Sequence, residues 1–505
     1  MVRRTLTVAA LMAIVLALLQ LTSSTTGLNI VRTYIGAIPV TVYQPQATKP
    51  APTVIICHGF AGSQQMMQPF AVTLARNGYT AVTFDFPGHA RNTAPLRGGM
   101  VDPDASGQAL LAALDQVVSF VGDLHGGDGR VALLGHSMAS DIVVRYAQAH
   151  PSIMATIAVS LFSRDVTASS PRNLLIIDGA LEPVFLLDEA YRLVNMVAGG
   201  SARERTTYGS FADGTARRLA LADGAEHIGV LYNRDSMAEA LAWLNEASGR
   251  SDDEFLDRRG PWLGLLFLGI VVLAWPLSFL LPQVSATPLG TTPTWPRLLA
   301  VALIPAVLTP LILWKLPIAF LPILLGDYLA AHFGTYGLLT FAAHRFFARE
   351  RSSGSTAAVD YGKFTVAALA SATYCLAAIV VPTDWFVTSY WPTPARLPLV
   401  FGMLCGALPY FASDEYVTRG AHPRRGAYIV TKVCFLASLL IAVGLNVHKL
   451  FFLIIIVPAI LICFVIYGLF STWIYRRTNH PLVGALATAL AIAWGVAVTF
   501  PTVDQ

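Results

Sequence analysis

Leu133-Leu134-Gly135-His136-Ser137-Met138-Ala139 decides how this chain reads. An apolar run, residues 131–134, ends in a tight Gly-His-Ser turn, and a helix-like segment follows. A strand, a sharp elbow and a helix place the serine at the apex. Its hydroxyl is lifted out of the sheet, and the next backbone N–H is left free to stabilise an oxyanion. This pattern proposes nucleophilic attack on an acyl carbon. It requires from the rest of the chain a base, a carboxylate to orient that base, and a second oxyanion donor.

Two upstream segments have the same strand-then-loop form. Val54-Ile55-Ile56-Cys57 reads as a buried strand and runs into His58-Gly59-Phe60-Ala61-Gly62-Ser63. Thr80-Ala81-Val82-Thr83-Phe84 reads as a second and runs into Asp85-Phe86-Pro87-Gly88-His89-Ala90. Helical stretches at 68–77 and 108–124 separate them, and strands alternating with helices argue for a mostly parallel sheet covered on both faces. On these residues the segment around Ser137 resembles the Gly-x-Ser-x-Gly nucleophile elbow of the α/β-hydrolase superfamily. It departs once, at Ala139, where the last glycine is usual; alanine is still small enough for close helix–strand packing. The His-Gly loop is similar to the family's oxyanion loop, and Asp85 to His89 is similar to its Asp-x-Pro-Gly-His turn, a structural element. The resemblance implies that the backbone N–H groups of Phe60 and Met138 form the oxyanion hole.

In this fold the triad follows the chain order Ser, Asp/Glu, His. After Ser137, Asn173-Leu174-Leu175-Ile176-Ile177 reads as a strand leading into Asp178-Gly179-Ala180-Leu181-Glu182-Pro183. In the family's acid-loop register Glu182 takes the acid position, with Asp178 at the strand end as its rival. The base is expected at His227, in Ala222-Asp223-Gly224-Ala225-Glu226-His227-Ile228-Gly229, between a strand-like run at 217–221 and a helix at 236–247. A neutral imidazole takes the serine proton, and the carboxylate fixes its tautomer and stabilises the cation that forms. Glu226 is a weaker acid candidate, since it would have to fold back on its neighbour. His58 and His136 read as braces for their loops; His89, His125 and His150 read as ordinary loop or helix-end histidines.

A cap domain is not evident. The stretch 160–172 between two strands is too short for a helical lid, so the site is either open or covered by something other than its own domain. A longer excursion, 183–215, carries a helix-like run at 185–197 and a basic patch, Arg203-Glu204-Arg205, that reads as solvated surface.

The 505 residues are 55% hydrophobic and only 13% charged, where soluble domains run to about 25% charged. The average hides a split into a signal-anchor at 1–27, an α/β-hydrolase domain at 28–247, a charged linker at 248–260 and an all-α polytopic membrane domain at 261–505. Apolar runs near the ~20 residues of a bilayer span lie at 5–22, 261–281, 297–314, 320–343, 364–382, 397–413, 427–445, 450–472 and 481–500. The fourth, with Pro322, Gly326, Asp327 and His332, reads as one kinked span or as a re-entrant segment plus a span.

Lys and Arg beside spans favour the cytoplasm. Arg3 and Arg4 put the first N-terminus inside. With one crossing at the fourth region, the loops bearing Arg345, Arg349, Arg351 and Lys363, then Arg419, Arg424 and Arg425, then Arg476 and Arg477, all fall inside. The hydrolase domain falls outside, whether the first span is an uncleaved anchor or a cleaved signal peptide. Asp327 with His332, and Asp414, Glu415 and Lys432, are costly in lipid; they read as an internal polar site or as helix–helix and interfacial contacts.

The five cysteines have no disulfide or metal-site spacing. The net charge of +4 sits mostly in cytoplasmic loops, with no nucleic-acid signature and no phosphate-binding glycine loop. Taken with the resemblance, the chain reads as a membrane-anchored serine carboxylesterase or lipase that needs no cofactor and no metal and acts on a lipid or other ester among membrane lipids. The alternatives are a transporter or scaffold with an accessory hydrolase-like domain, and an acyltransferase.

Overall fold

The computed structural model describes residues 1–46, 50–99, 102–124, 126–163, 165–251, 255–347 and 358–504; His125, Arg349 and Arg351 lie outside them. Eight strands form one sheet: β1 (Leu28–Ile35), β2 (Ile38–Pro45), β3 (Ala51–Cys57), β4 (Thr80–Phe84), β5 (Gly127–His136), β6 (Ala155–Val159), β7 (Leu174–Gly179) and β8 (Arg217–Ala222). Their order is β1-β2-β4-β3-β5-β6-β7-β8. The first two strands form an antiparallel hairpin, β2 joins β4 antiparallel, and every later pairing is parallel. β3, β4, β6 and β7 are buried along their whole length, as strands covered on both faces must be, and so they read as unbroken apolar runs.

The helices Gln68–Arg76 and Arg234–Ser248 pack on one face around Phe70, Leu74, Leu241 and Trp243. On the other face Pro103–Gly122 and Met138–Ala149 enclose Leu114, Val117, Leu133 and Val143. Pro103 stands in the first turn of its helix, and the Asp102 carboxylate accepts the Ala105 N–H at 3.0 Å, an N-cap that fixes where the helix begins.

Among the described residues, eight helices are long and apolar enough to cross a membrane. They are Val2–Ser23 and, in the second half, Arg259–Ser278, Trp295–Leu313, Tyr361–Phe386, Leu397–Thr418, Ala427–Leu445, Leu453–Thr478 and Pro481–Thr499. Gly326–Phe347 is as long but more polar. It replaces the expected span at 320–343: residues 317–325 are irregular, and one helix follows. That helix is built into the bundle, because a Cβ on Gly337 or Gly406 would collide with the backbone of Leu397–Thr418 or of Gly326–Phe347. Small residues at such crossings let apolar helices approach closely.

Two ion pairs in this half are internal, while Lys363–Asp360 is exposed. Lys432 Nζ lies 2.5 Å from Asp414, ringed by Tyr410, Phe411, Tyr428 and Phe464, and Arg419 pairs with Glu415 at 2.8 Å. His332 meets Ser438 at 3.1 Å, and Asp327 accepts the Tyr328 N–H at 2.7 Å; the two are not joined to each other.

Two ends of the bundle are distinct. At one, the segment 284–291 bonds to Tyr416, Thr478 and Asn479. At the other, the connections 314–325, 387–396 and 446–452 and the residues after Thr499 meet the hydrolase half. Thr502 N–H donates to Gly88 O at 2.8 Å and Leu96 N–H to Thr502 O at 2.9 Å; Ser389 Oγ donates to Gln65 at 2.8 Å, and Arg91 pairs with Asp384 at 2.6 Å. Arg396, 2% exposed, donates to the carbonyls of Ala497, Phe500 and Gly88, each at 2.8 Å. Val2–Ser23 and Arg259–Ser278 lie side by side through Ala17, Leu21, Leu263 and Leu266, so the hydrolase half hangs from two neighbouring helices. Where the charged segment enters the second of them, Asp257 and Arg259 form a buried pair at 2.9 Å, and Arg259 also donates to Gln68.

Candidate active site

β5 delivers Ser137 at the centre of the sheet, between β3 and β6. The serine holds φ +53° and ψ −117°, a strained conformation for a residue with a side chain. The turn is pinned by Ser137 N–H to Val159 O at 2.8 Å and by the Ser140 hydroxyl to Ser137 O at 2.6 Å. Gly135 is required because a Cβ there would strike the carbonyl of Ala139. Ala139, fully buried against the β3 and β5 side of the core, fits where a second glycine was the expected pattern.

His227 Nε2 lies 2.9 Å from Ser137 Oγ. Its other nitrogen, Nδ1, lies 3.0 and 3.1 Å from the Glu182 oxygens. A proton on Nδ1 donated to that carboxylate leaves Nε2 as the acceptor facing the hydroxyl. Glu182 is held in turn by the Ser160 hydroxyl, which donates to Oε1 at 2.5 Å. Ser160, with φ +57°, turns directly off the end of β6. Sequence reading missed it; the one available signal was a serine directly after a buried strand.

Asp178 is buried at the end of β7, and neither of its oxygens makes a well-formed hydrogen bond among the described residues. Burial first, and then the neighbouring Glu182 carboxylate, push its pKa up to about 8. Glu226 faces away from the imidazole and caps the turn after it, accepting from Ile228 N–H at 2.9 Å and Gly229 N–H at 2.6 Å.

The bracing histidines sit where expected. His136 Nε2 donates to the His227 carbonyl at 3.0 Å, and burial, with His227 beside it, lowers its pKa to about 3. His58 accepts the Phe86 N–H at 3.1 Å and donates to Gly59 O at 2.8 Å; burial lowers its pKa to about 4. Both stay neutral around neutral pH, so neither adds a positive charge beside His227. Gly59 lies directly against Ser137 Cβ. Among the described residues, the amides of Phe60 and Met138 have no hydrogen-bond acceptor.

The cavity over Ser137 is small, about 40 Å³. The sheet-bearing half lines it with Gly59, Phe60, His227 and Ile228, and the helical half covers it with Phe452 and Ile455. Phe60 and Phe452 stack with ring centres 4.5 Å apart and planes 27° apart. Of the two expectations, open or covered from outside the domain, the structure shows the second. Sequence reading named neither Phe452 nor Ile455, because a phenylalanine and an isoleucine at the edge of an apolar run carry no local mark of a site.

Residues 52–171 match the family model for the alpha/beta hydrolase fold. Among curated proteins, the bis(hydroxyethyl) terephthalate hydrolase of Streptomyces coelicolor is 30% identical over 130 residues, 25% of this chain and 38% of that protein. Cutinase 2 of Thermobifida cellulosilytica is 24% identical over 208 residues, 40% of this chain and 71% of that protein. The chain therefore spans less than two fifths of the first relative's length. A solved CIB-like hydrolase of Thermoplasma acidophilum is 14% identical, covers 43% of this chain and 96% of its own, and superposes with a TM-score of 0.32. On its strand order, its elbow and the family-model match, the N-terminal half of this chain has the α/β-hydrolase fold.

Proposed function

We propose that the chain is a membrane-anchored serine hydrolase of ester bonds, of the carboxylesterase or lipase kind, with Ser137 as nucleophile, His227 as base and Glu182 as the acid that orients it. The observation that carries this is the hydrogen-bonded series Ser137–His227–Glu182, at 2.9 and 3.0 Å. The match to cutinases and to a terephthalate-ester hydrolase supports an ester as substrate. Ser137 Oγ bonds to the carbonyl carbon as His227 Nε2 takes its proton. The carbonyl oxygen becomes an oxyanion held by the N–H groups of Phe60 and Met138, each contributing about 3 kcal/mol to the transition state. Collapse breaks the ester C–O bond, and the alcohol leaves with the proton from His227. Water, deprotonated by His227, then attacks the acyl-serine and releases the acid.

In this reading residues 1–27 anchor the chain, 28–247 are the catalytic domain, 248–260 the link and 261–505 the membrane domain. Each connection that touches the hydrolase half is one that nine alternating crossings put on its side, and Arg345, Lys363, Arg419, Arg424, Arg425, Arg476 and Arg477 fall on the other. With basic residues retained in the cytoplasm, the protein is a multi-pass cell-membrane protein with its catalytic domain extracytoplasmic. A reporter fused after Asn245 is expected to read as extracytoplasmic; a cytoplasmic readout would overturn this orientation. A p-nitrophenyl ester series, from acetate to palmitate, tests the chemistry. Turnover by the full-length protein is expected, and none at any chain length would refute an esterase.

A further inference from the structure

The mouth of the site is unusual in what surrounds it. Ile455, in the first turn of Leu453–Thr478, lines the cavity over Ser137 and is itself 40% exposed. Ile462 and Leu469 follow at intervals of seven and are exposed too. Two turns separate each pair, so the three share one face of the helix, and that face is turned out of the bundle. In a helix that crosses a bilayer, it is a lipid-facing stripe whose upper end is the wall of the pocket. The ester linkage of a membrane lipid lies where hydrocarbon meets headgroup, the level at which such a helix begins.

The hydrolase half carries a matching feature. Phe162 follows β6, Leu181, Val184 and Phe185 follow β7, and Ile228 follows β8. All five are large, apolar and exposed, and Phe162 and Phe185 meet edge to face at 6.3 Å. They lie at the same edge of the sheet as Phe60, which rests on Phe452 of the membrane half. Where β3 and β4 end, this edge is seated on the bundle through Ser63, Gln65 and Gly88. Where β8 ends, Ile228 lines the same cavity as Ile455, so the apolar rim begins beside the helix Leu453–Thr478.

We propose that the site takes its substrate from the bilayer itself: an acyl ester of a membrane lipid enters sideways, its chain lying along Ile455, Ile462 and Leu469, while the Phe162–Phe185 rim rests in the leaflet beside it. This rests on the serine-hydrolase reading above. It explains why the covering wall comes from the helical half, and why a small cavity suffices before Phe452 and Phe60 part around a chain.

The test uses the full-length protein in phosphatidylcholine nanodiscs, with a fluorogenic long-chain diacylglycerol in the bilayer and p-nitrophenyl acetate in the water. The wild type is expected to hydrolyse both. Phe162→Ser combined with Phe185→Ser should lower turnover of the bilayer ester roughly tenfold or more, since interfacial seating scales with buried apolar area, and leave acetate turnover within about twofold. Phe452→Ala should raise the rate ratio of bilayer ester to acetate. A wild type that cleaves acetate but not the bilayer ester overturns lateral entry. So does a rim variant that loses both activities equally, or neither. A wild type that cleaves neither ester and does not react with a fluorophosphonate overturns the hydrolase reading, and this inference with it.

Discussion

Ser137→Ala is expected to abolish labelling by a serine-reactive fluorophosphonate and to cut ester turnover by about 10⁴- to 10⁶-fold. At 1.36 kcal/mol per decade, this is roughly 5–8 kcal/mol of barrier. The size follows from the site: Ser137 Oγ is the atom that His227 Nε2 meets at 2.9 Å, and Ser140 Oγ is engaged with the Ser137 carbonyl. What survives is binding and the two oxyanion amides acting on water, which still exceed the uncatalysed rate. Alanine removes only Oγ, from a residue whose elbow is pinned by Gly135 and by backbone bonds, so the variant should fold as the wild type does. Labelling that persists in Ser137→Ala would refute the nucleophile assignment.

The second large effect separates the two carboxylates. Glu182→Gln should lower turnover by about 10³- to 10⁴-fold, because an amide in that place can turn its NH₂ to Nδ1 and leave the imidazole in the wrong tautomer. Asp178→Asn should stay within about threefold of wild type, since Asp178 has no bond to His227. Asp178 predicts a pH effect of its own. Burial and Glu182 raise its pKa to about 8, above the ordinary value of 3.8, so the folded state holds this proton more tightly than the unfolded one. The sign follows: its contribution to stability is full below about pH 4 and is lost as pH rises through 8. Asn in its place should flatten that part of a melting-temperature profile between pH 4 and 8. Equal loss of turnover in both variants would remove the distinction between the two acids.

Much of this was legible from local pattern. β3, β4 and β5 announce themselves as apolar runs ended by glycine-bearing loops, and the parallel order follows from alternation with helices. Ser137, Glu182 and His227 each stand in the loop after a strand, so the topology brings the three together without any long-range signal. The β1–β2 hairpin went unread, because its exposed first strand has no continuous apolar run and its pairing partner β4 lies well downstream. The fourth long helix begins at Gly326 rather than near 320, since Pro317 and Pro322 hold the preceding stretch out of a helix. Ser160, Phe452, Ile455 and Arg396 act through partners tens to hundreds of residues away. A residue type at one position carries no record of such contacts, and only the folded arrangement reveals that the pocket wall comes from the other half.

The seat between Gly88, Leu96 and Thr502 joins residues more than 400 positions apart in the chain. A ribosome reaches Ser248 roughly 250 residues before Thr502, about 12–50 s at 5–20 residues per second. Arg396 follows Ser248 by 148 residues and Phe452 by 204, so for most of that interval the sheet and all three residues of the Ser137 series are made but Phe452 is not. A sheet that forms in that interval leaves Ser137 uncovered until Phe452 and Ile455 are in place. On the proposed function, Ser137 is then most exposed during synthesis.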